Sequence, residues 1–203
     1  MSAHLAQSAA PAGAGAVRSF DGHRPEIGPG VFIHDTALVI GRVSLAADVS
    51  VWPTTVIRGD VNWIRIGART NLQDGCVLHV THDGPYTPGG FPLDVGEDVT
   101  VGHRVVLHAA TVGDRVLVGM GSVVMDGAVI EDDVLLGAGA LVPPGKRLQS
   151  GRLYAGTPAR PVRDLREDAL ARRVYLPADE LATCGYATPD DFRRAVVAAH
   201  EDA

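Results

Sequence analysis

The 203-residue chain has little of several things, and each shortage excludes a class of protein. It holds two cysteines, Cys76 and Cys184, and no Cys-x-x-Cys pair. That is too few for a disulfide framework and points to a reducing compartment, the cytoplasm. Aromatic residues make up 5%, so the core must be built from Val, Leu, Ile and Ala. No apolar run approaches the roughly 18 residues that a membrane span needs. The start of the chain also lacks a cationic segment followed by an apolar one, the pattern of a secretory signal. Lys and Arg number 18 against 24 Asp and Glu, a net charge of −6. A surface of that sign does not steer a protein onto nucleic acid or anionic lipid, and neither partner is expected.

Glycine is in excess, at 24 residues, and aliphatic residues recur every six positions. One run is Ile33, Val39, Leu45, Val51 and Ile57; the next is Ile66, Leu72 and Leu78, then Val95, Val101 and Leu107. The last comprises Val112, Val118, Val124, Ile130, Leu136 and Val142. Four places after most of these stands a small or β-branched residue, among them Ala37, Val49, Thr55, Thr70, Cys76, Val105 and Ser122. A period of six suits neither a helix nor a lone strand, but it suits short strands joined by tight corners. Glycines 67, 96, 102, 113, 119 and 137 directly follow the aliphatic residue, where a corner or a close backbone approach would use them.

The pattern resembles the left-handed parallel β-helix of hexapeptide-repeat proteins. The expected fold is therefore all-β, with residues 1–20 a flexible extension, 21–160 the β-helix, and 161–203 a helical segment packed on its outside. A first helix is expected over 163–175, capped by Asp164 and Glu167, and a second from Thr188 and Pro189 to about His200. The run Glu131, Asp132 and Asp133 falls on a corner and reads as a solvated turn. The repeat is broken in three places. Three extra residues separate Ile57 from Ile66, one is missing between Leu107 and Val112, and 11 residues loop out between the hexads of Leu78 and Val95.

Three hexads make one coil, so residues three hexads apart stack. His79 and His108 each follow the aliphatic residue of their hexads and lie one coil apart, on one outer face. His103 is third in its hexad, one corner earlier, and belongs to a different edge of the triangular prism. Three neutral imidazoles around an open fourth position make a catalytic zinc site. A threefold oligomer resolves the geometry, because rotation brings one edge of a prism against its neighbour. A homotrimer is expected, each site taking His79 and His108 from one chain and His103 from the next. Arg58 falls one coil before His79 and Asp74 one coil before His103, while Asp60 is placed to pair with Arg58 or with an Arg across an interface.

The segments Arg58-Gly59-Asp60, Asn71-Leu72-Gln73-Asp74-Gly75, Val77-Leu78-His79 and Val101-Gly102-His103 with Leu107-His108 resemble the γ-class carbonic anhydrase family. So do Gly119-Met120-Gly121 and residues 154–159. The resemblance implies a trimer with Zn2+ or Fe2+ at subunit interfaces and reversible hydration of CO2 to bicarbonate by metal-bound hydroxide. Residue by residue it implies His79, His103 and His108 as ligands and Gln73 as the side chain that orients the hydroxide. Arg58, Asp60 and Asp74 match the interface and supporting set. The most active members carry two Glu residues where this chain has Val61 and His82; His82 is placed either to relay the proton or to cover the site as a loop residue. Three other functions share the pattern: a metal-dependent acyl-CoA thioesterase, a hexapeptide acyltransferase that needs one His and no metal cluster, and a trimeric scaffold with a vestigial site.

Overall fold

The computed structural model describes residues 16–165. The chain winds as a left-handed parallel β-helix, in coils of three short strands that form the faces of a triangular prism. One face is an eight-stranded sheet that begins at Phe32–Ile33 and ends at Arg160–Asp164. The other two belong to a single 12-stranded sheet, because the strands Leu38–Leu45 and Val56–Ile66 run on around a corner and serve both. Among the described residues every pairing between these strands is parallel except that of the final strand, and the antiparallel contacts otherwise are isolated bridges in turns and in the loop.

The hexads account for this geometry. Each aliphatic residue that opens a hexad is buried, from Ile33 to Val142, and so is the small or β-branched residue four places on wherever the repeat is unbroken; Val61 and Thr111, which fall at breaks, are exposed. The first side chain fills the face and the second fills the corner, so every coil contributes the same two layers to one continuous core. Corner backbone is satisfied from within: buried Thr55 and Thr70 donate to the carbonyls of Gln73 and Gly96 at 2.7 and 2.8 Å. The left-handed conformation that turns each corner sits at the fourth hexad position, held by Asp48, Arg69, Asp98, Arg115 and Asp133 on one edge. The glycines at the second position do something else. A Cβ on Gly67 would lie 2.4 Å from the backbone of Gly96 in the next coil, so close stacking demands glycine there.

Those fourth-position residues alternate in charge along their edge. Arg69 grips Asp98 with two hydrogen bonds of 2.6 and 2.7 Å, and Arg115 grips Asp133 at 2.8 and 3.1 Å. The acidic run at the corner is engaged in the same ladder. Asp132 accepts the backbone N–H of Asp114, and Glu131 accepts Arg147 and the backbone N–H of Ser150.

Both ends of the β-helix differ from expectation. The fold begins before residue 21: Ala16 is buried and Val17–Arg18 pair with Val39 and Ile40. Residues 163 and 164 are not helical. The strand Arg160–Asp164 turns back antiparallel onto Arg152–Ala155 and covers the last open sheet edge of that face. Pairing an otherwise bare row of backbone groups outweighs the capping pattern of Asp164. The remainder of the expected helices lies outside the described residues. No helix among the described residues is long and apolar enough to cross a membrane.

Two expectations follow. Cys76 is fully buried, donates its thiol to the Gly102 carbonyl at 3.1 Å, and is pushed up to about 11 by burial. In a Cys184→Ser background the native protein should resist thiol reagents at pH 8 and react only on denaturation; rapid native labelling would contradict the register. Glu131 is held below its usual range by the Ser150 N–H first and Arg147 after it, against the opposing effect of burial. Its stabilisation is therefore present above the unfolded value of 4.5 and is lost as pH falls through the lower folded value. The melting temperature of Glu131→Gln should trail the parent at pH 7, and the gap should narrow progressively as the pH falls below 4.5.

Candidate metal centre

His79 and His108 end the strands Val77–His79 and Val106–His108, which pair in register so that the two residues are direct partners. Their rings lie 5.1 Å apart, with Nδ1 of His79 facing Nε2 of His108 at 3.1 Å. Each ring has a carboxylate on its other nitrogen. Asp60 meets Nε2 of His79 at 2.9 Å and Asp126 meets Nδ1 of His108 at 2.6 Å.

The chain reaches these contacts by breaking its own repeat. Gly59 pairs with Gly41 and Ile64 pairs with Val43, so the four residues 60–63 stand opposite Arg42 alone, and the three-residue surplus is visible as a bulge. The bulge swings Asp60 out to His79, where Arg58 also pairs with it. Burial alone would raise the Asp60 carboxyl; the hydrogen bond from His79, a backbone N–H and the Arg58 charge outweigh it and hold the group below the usual carboxylate range. Asp126 has the same balance, with Thr81 donating to it at 2.5 Å ahead of His108.

An ionised carboxylate has no hydrogen to give, so the nitrogens that face Asp60 and Asp126 carry the N–H groups. With both rings neutral, one lone pair on each is aimed at the other across 3.1 Å. Such an arrangement is repulsive until a proton or a metal cation stands between them. The spacing is close to the roughly 3.3 Å between two nitrogens that share a tetrahedral zinc at about 2.0–2.1 Å. The pair therefore fits half of a zinc site.

His103 is elsewhere. It follows the strand Thr100–Val101 on the eight-stranded face, directly after Asp74 in the stack, and its Nδ1 meets the Asp74 carboxylate at 3.0 Å. His103 and Asp74 are both about half exposed, at 48% and 47%. Gln73, one residue before Asp74, is on that same edge and not beside His79 and His108. Among the described residues of one protomer, no three His, Cys, Asp or Glu side chains converge on a metal position. His82 lies exposed in the loop, its carbonyl accepting the Thr87 hydroxyl at 3.0 Å.

Asp126 and Thr81 were not found from sequence. Asp126 is third in the hexad of Val124, a position whose only signal is that it falls one coil after the His108 corner. Thr81 is the root of the long loop, where it exchanges two backbone hydrogen bonds with Phe91 and closes residues 82–90 into a hairpin. Asn62, on the bulge, clamps this loop by donating to the carbonyls of Thr81 and Gly89 at 3.2 and 3.4 Å.

A parallel β-helix with in-register hexads defines a hexapeptide-repeat protein, and residues 109–144 match the family model described as bacterial transferase hexapeptide (six repeats). The chain is 59% identical to protein YrdA of Escherichia coli over 151 residues, 74% of this chain and 82% of that one. It is 42% identical to a carbonic anhydrase of Geobacillus kaustophilus over 162 residues, covering 77% of this chain and 85% of that one. Among solved structures it is similar to a hexapeptide transferase family protein from Anaplasma phagocytophilum, with a TM-score of 0.69 and 33% identity over 92% of this chain and 97% of that one. The chain belongs to the γ-class carbonic anhydrase family.

The clamp gives a further expectation. Asn62→Ala removes two hydrogen bonds from the loop, a loss of about 1 kcal/mol. Cleavage near Tyr86, which is 97% exposed, should become roughly fivefold faster under limited proteolysis, with the melting temperature of the β-helix little changed.

Proposed function

We propose that the protein hydrates CO2 reversibly at metal sites shared between the subunits of a homotrimer. His79 and His108 of one subunit and His103 of the next would hold Zn2+, or Fe2+. The observation that carries this reading is that all three imidazoles rest one nitrogen on a carboxylate, Asp60, Asp126 or Asp74, and keep the other available. Two of those free nitrogens already meet, and the third lies on the edge that a threefold neighbour would supply.

A zinc held there would supply a Lewis acid that lowers the pKa of its bound water to about 7. The chain's own residues do the rest. Asp60 and Asp74 fix the tautomers of His79 and His103 and raise their basicity. Arg58 keeps the Asp60 carboxylate ionised and in place. Gln73, on the His103 edge, would enter the site from the neighbouring subunit and orient the attacking oxygen by hydrogen bonding. His82, exposed in the loop, accepts the proton released on hydration and passes it to buffer. The name of the Anaplasma protein favours a transferase as the second reading; that chemistry needs no metal, so metal content separates the two.

The test uses subunit exchange. His79→Ala and His103→Ala should each give trimers without a complete site. Around a ring that contains both variants, one junction joins a chain that kept His79 and His108 to a chain that kept His103. A refolded mixture should therefore regain zinc, and CO2 hydration by stopped flow, at one site per mixed trimer. No gain over the separate variants would sink the shared site, and restored zinc without hydration would leave the site intact but overturn the reaction.

A further inference from the structure

The carboxylate of Asp126 is shared between a ligand and a loop. One oxygen takes the hydrogen of His108 Nδ1 at 2.6 Å and the other takes the Thr81 hydroxyl at 2.5 Å. Its backbone is set by the corner that follows, where Gly127 is left-handed and donates to the Ala109 carbonyl at 2.7 Å. The side chain thus leaves a rigid corner already aimed at the ring. The ring itself is not rigid. Strand pairing fixes the Cβ of His108, but rotation about the bond to an imidazole is soft and broad, so something else must choose which nitrogen faces His79.

The same loop root is tied to the other ligand. Asn62 reaches the Thr81 carbonyl from the bulge, and Asn62 lies two residues after Asp60, the carboxylate on His79. The Asp126 carboxylate and the bulge that carries Asp60 are therefore both tied to the root of the 81–91 loop, the first through the Thr81 hydroxyl and the second through Asn62 on the Thr81 carbonyl.

We propose that Asp126 is a positioning residue: held by Thr81, it locks His108 in the tautomer and ring orientation that present Nε2 to the metal, and so couples ligand geometry to the loop root. The inference rests on the metal-site reading, and it assigns roles to two residues, Asp126 and Thr81. If Asp126 served only to staple the loop, its loss would lower stability without changing the His108 ring.

The experiment uses the full-length protein. Zinc affinity is measured by competition with a chelator, and the His108 tautomer by two-bond 1H–15N spectra of the metal-free protein at pH 8. The parent should show the Nδ1–H tautomer. Asp126→Ala should lose that preference and bind zinc 10- to 100-fold more weakly, the range found for lost outer-shell partners. Thr81→Val should weaken zinc binding several-fold, and Thr81→Ser, which restores the hydroxyl, should return it to the parent value. Parent-like zinc affinity in both Asp126→Ala and Thr81→Val, or an unchanged tautomer in Asp126→Ala, would overturn the proposal. Should Asp126→Ala fail to fold, the Val and Ser variants of Thr81 decide alone: loss with rescue supports the coupling, and equal affinities overturn it. A parent that binds no zinc would refute the metal reading, while the tautomer comparison would still decide the role of Asp126.

Discussion

The molecule depends on the backbone register between successive coils. Parallel hydrogen bonds lock each hexad onto its counterpart in the next coil, as in the pairing of Val106, Leu107 and His108 with Val77, Leu78 and His79. A shift by one residue would exchange the buried and exposed sides of every strand. With the register held, a position in the hexad becomes a column in space. The first and fifth positions become the core, the fourth becomes the corner, and the second becomes an outward row on which two histidines stand together.

A perfect repeat would have made a smooth prism without a site. The candidate site is assembled where the period fails. The bulge at residues 60–63 carries Asp60 to His79, and the excursion after Val80 brings Thr81 to Asp126, which holds His108. Neither break disturbs the core, because Ile57, Ile64, Leu78 and Leu93 on either side of them remain fully buried. Stability and function are thus separated along the chain: the hexads supply a stiff frame, and the departures from them hang carboxylates beside the imidazoles. The alternating Arg and Asp edge lies on a different corner and takes no part in the site.

Much of this was legible in the primary structure. Counting hexads placed Cys76 in the core and His79 beside His108, and it separated His103 onto another edge with Asp74. These are consequences of local period and needed no knowledge of long-range contacts beyond the coil itself. The helix start expected at residues 163 and 164 is a strand instead, because a capping pattern is a local signal, whereas the bare sheet edge at Arg152–Ala155 is created only when the β-helix ends. Asp126 and Thr81 were missed for a related reason: they are 45 residues apart and meet only because a loop root and a corner two coils further on fall on the same side of the prism.

The amino-acid sequence alone determined the fold class, the core and the columns, since each follows from a six-residue period repeated without regard to what lies far away. Only the tertiary structure decided which carboxylate serves which imidazole. Side chains at corners and in loops have no period to place them, and their partners depend on how far each bulge carries the backbone. That is why Asp60 could be expected to pair with an Arg, while its contact with Nε2 of His79, and with it the lone pair that His79 turns toward His108, had to be read from the folded chain.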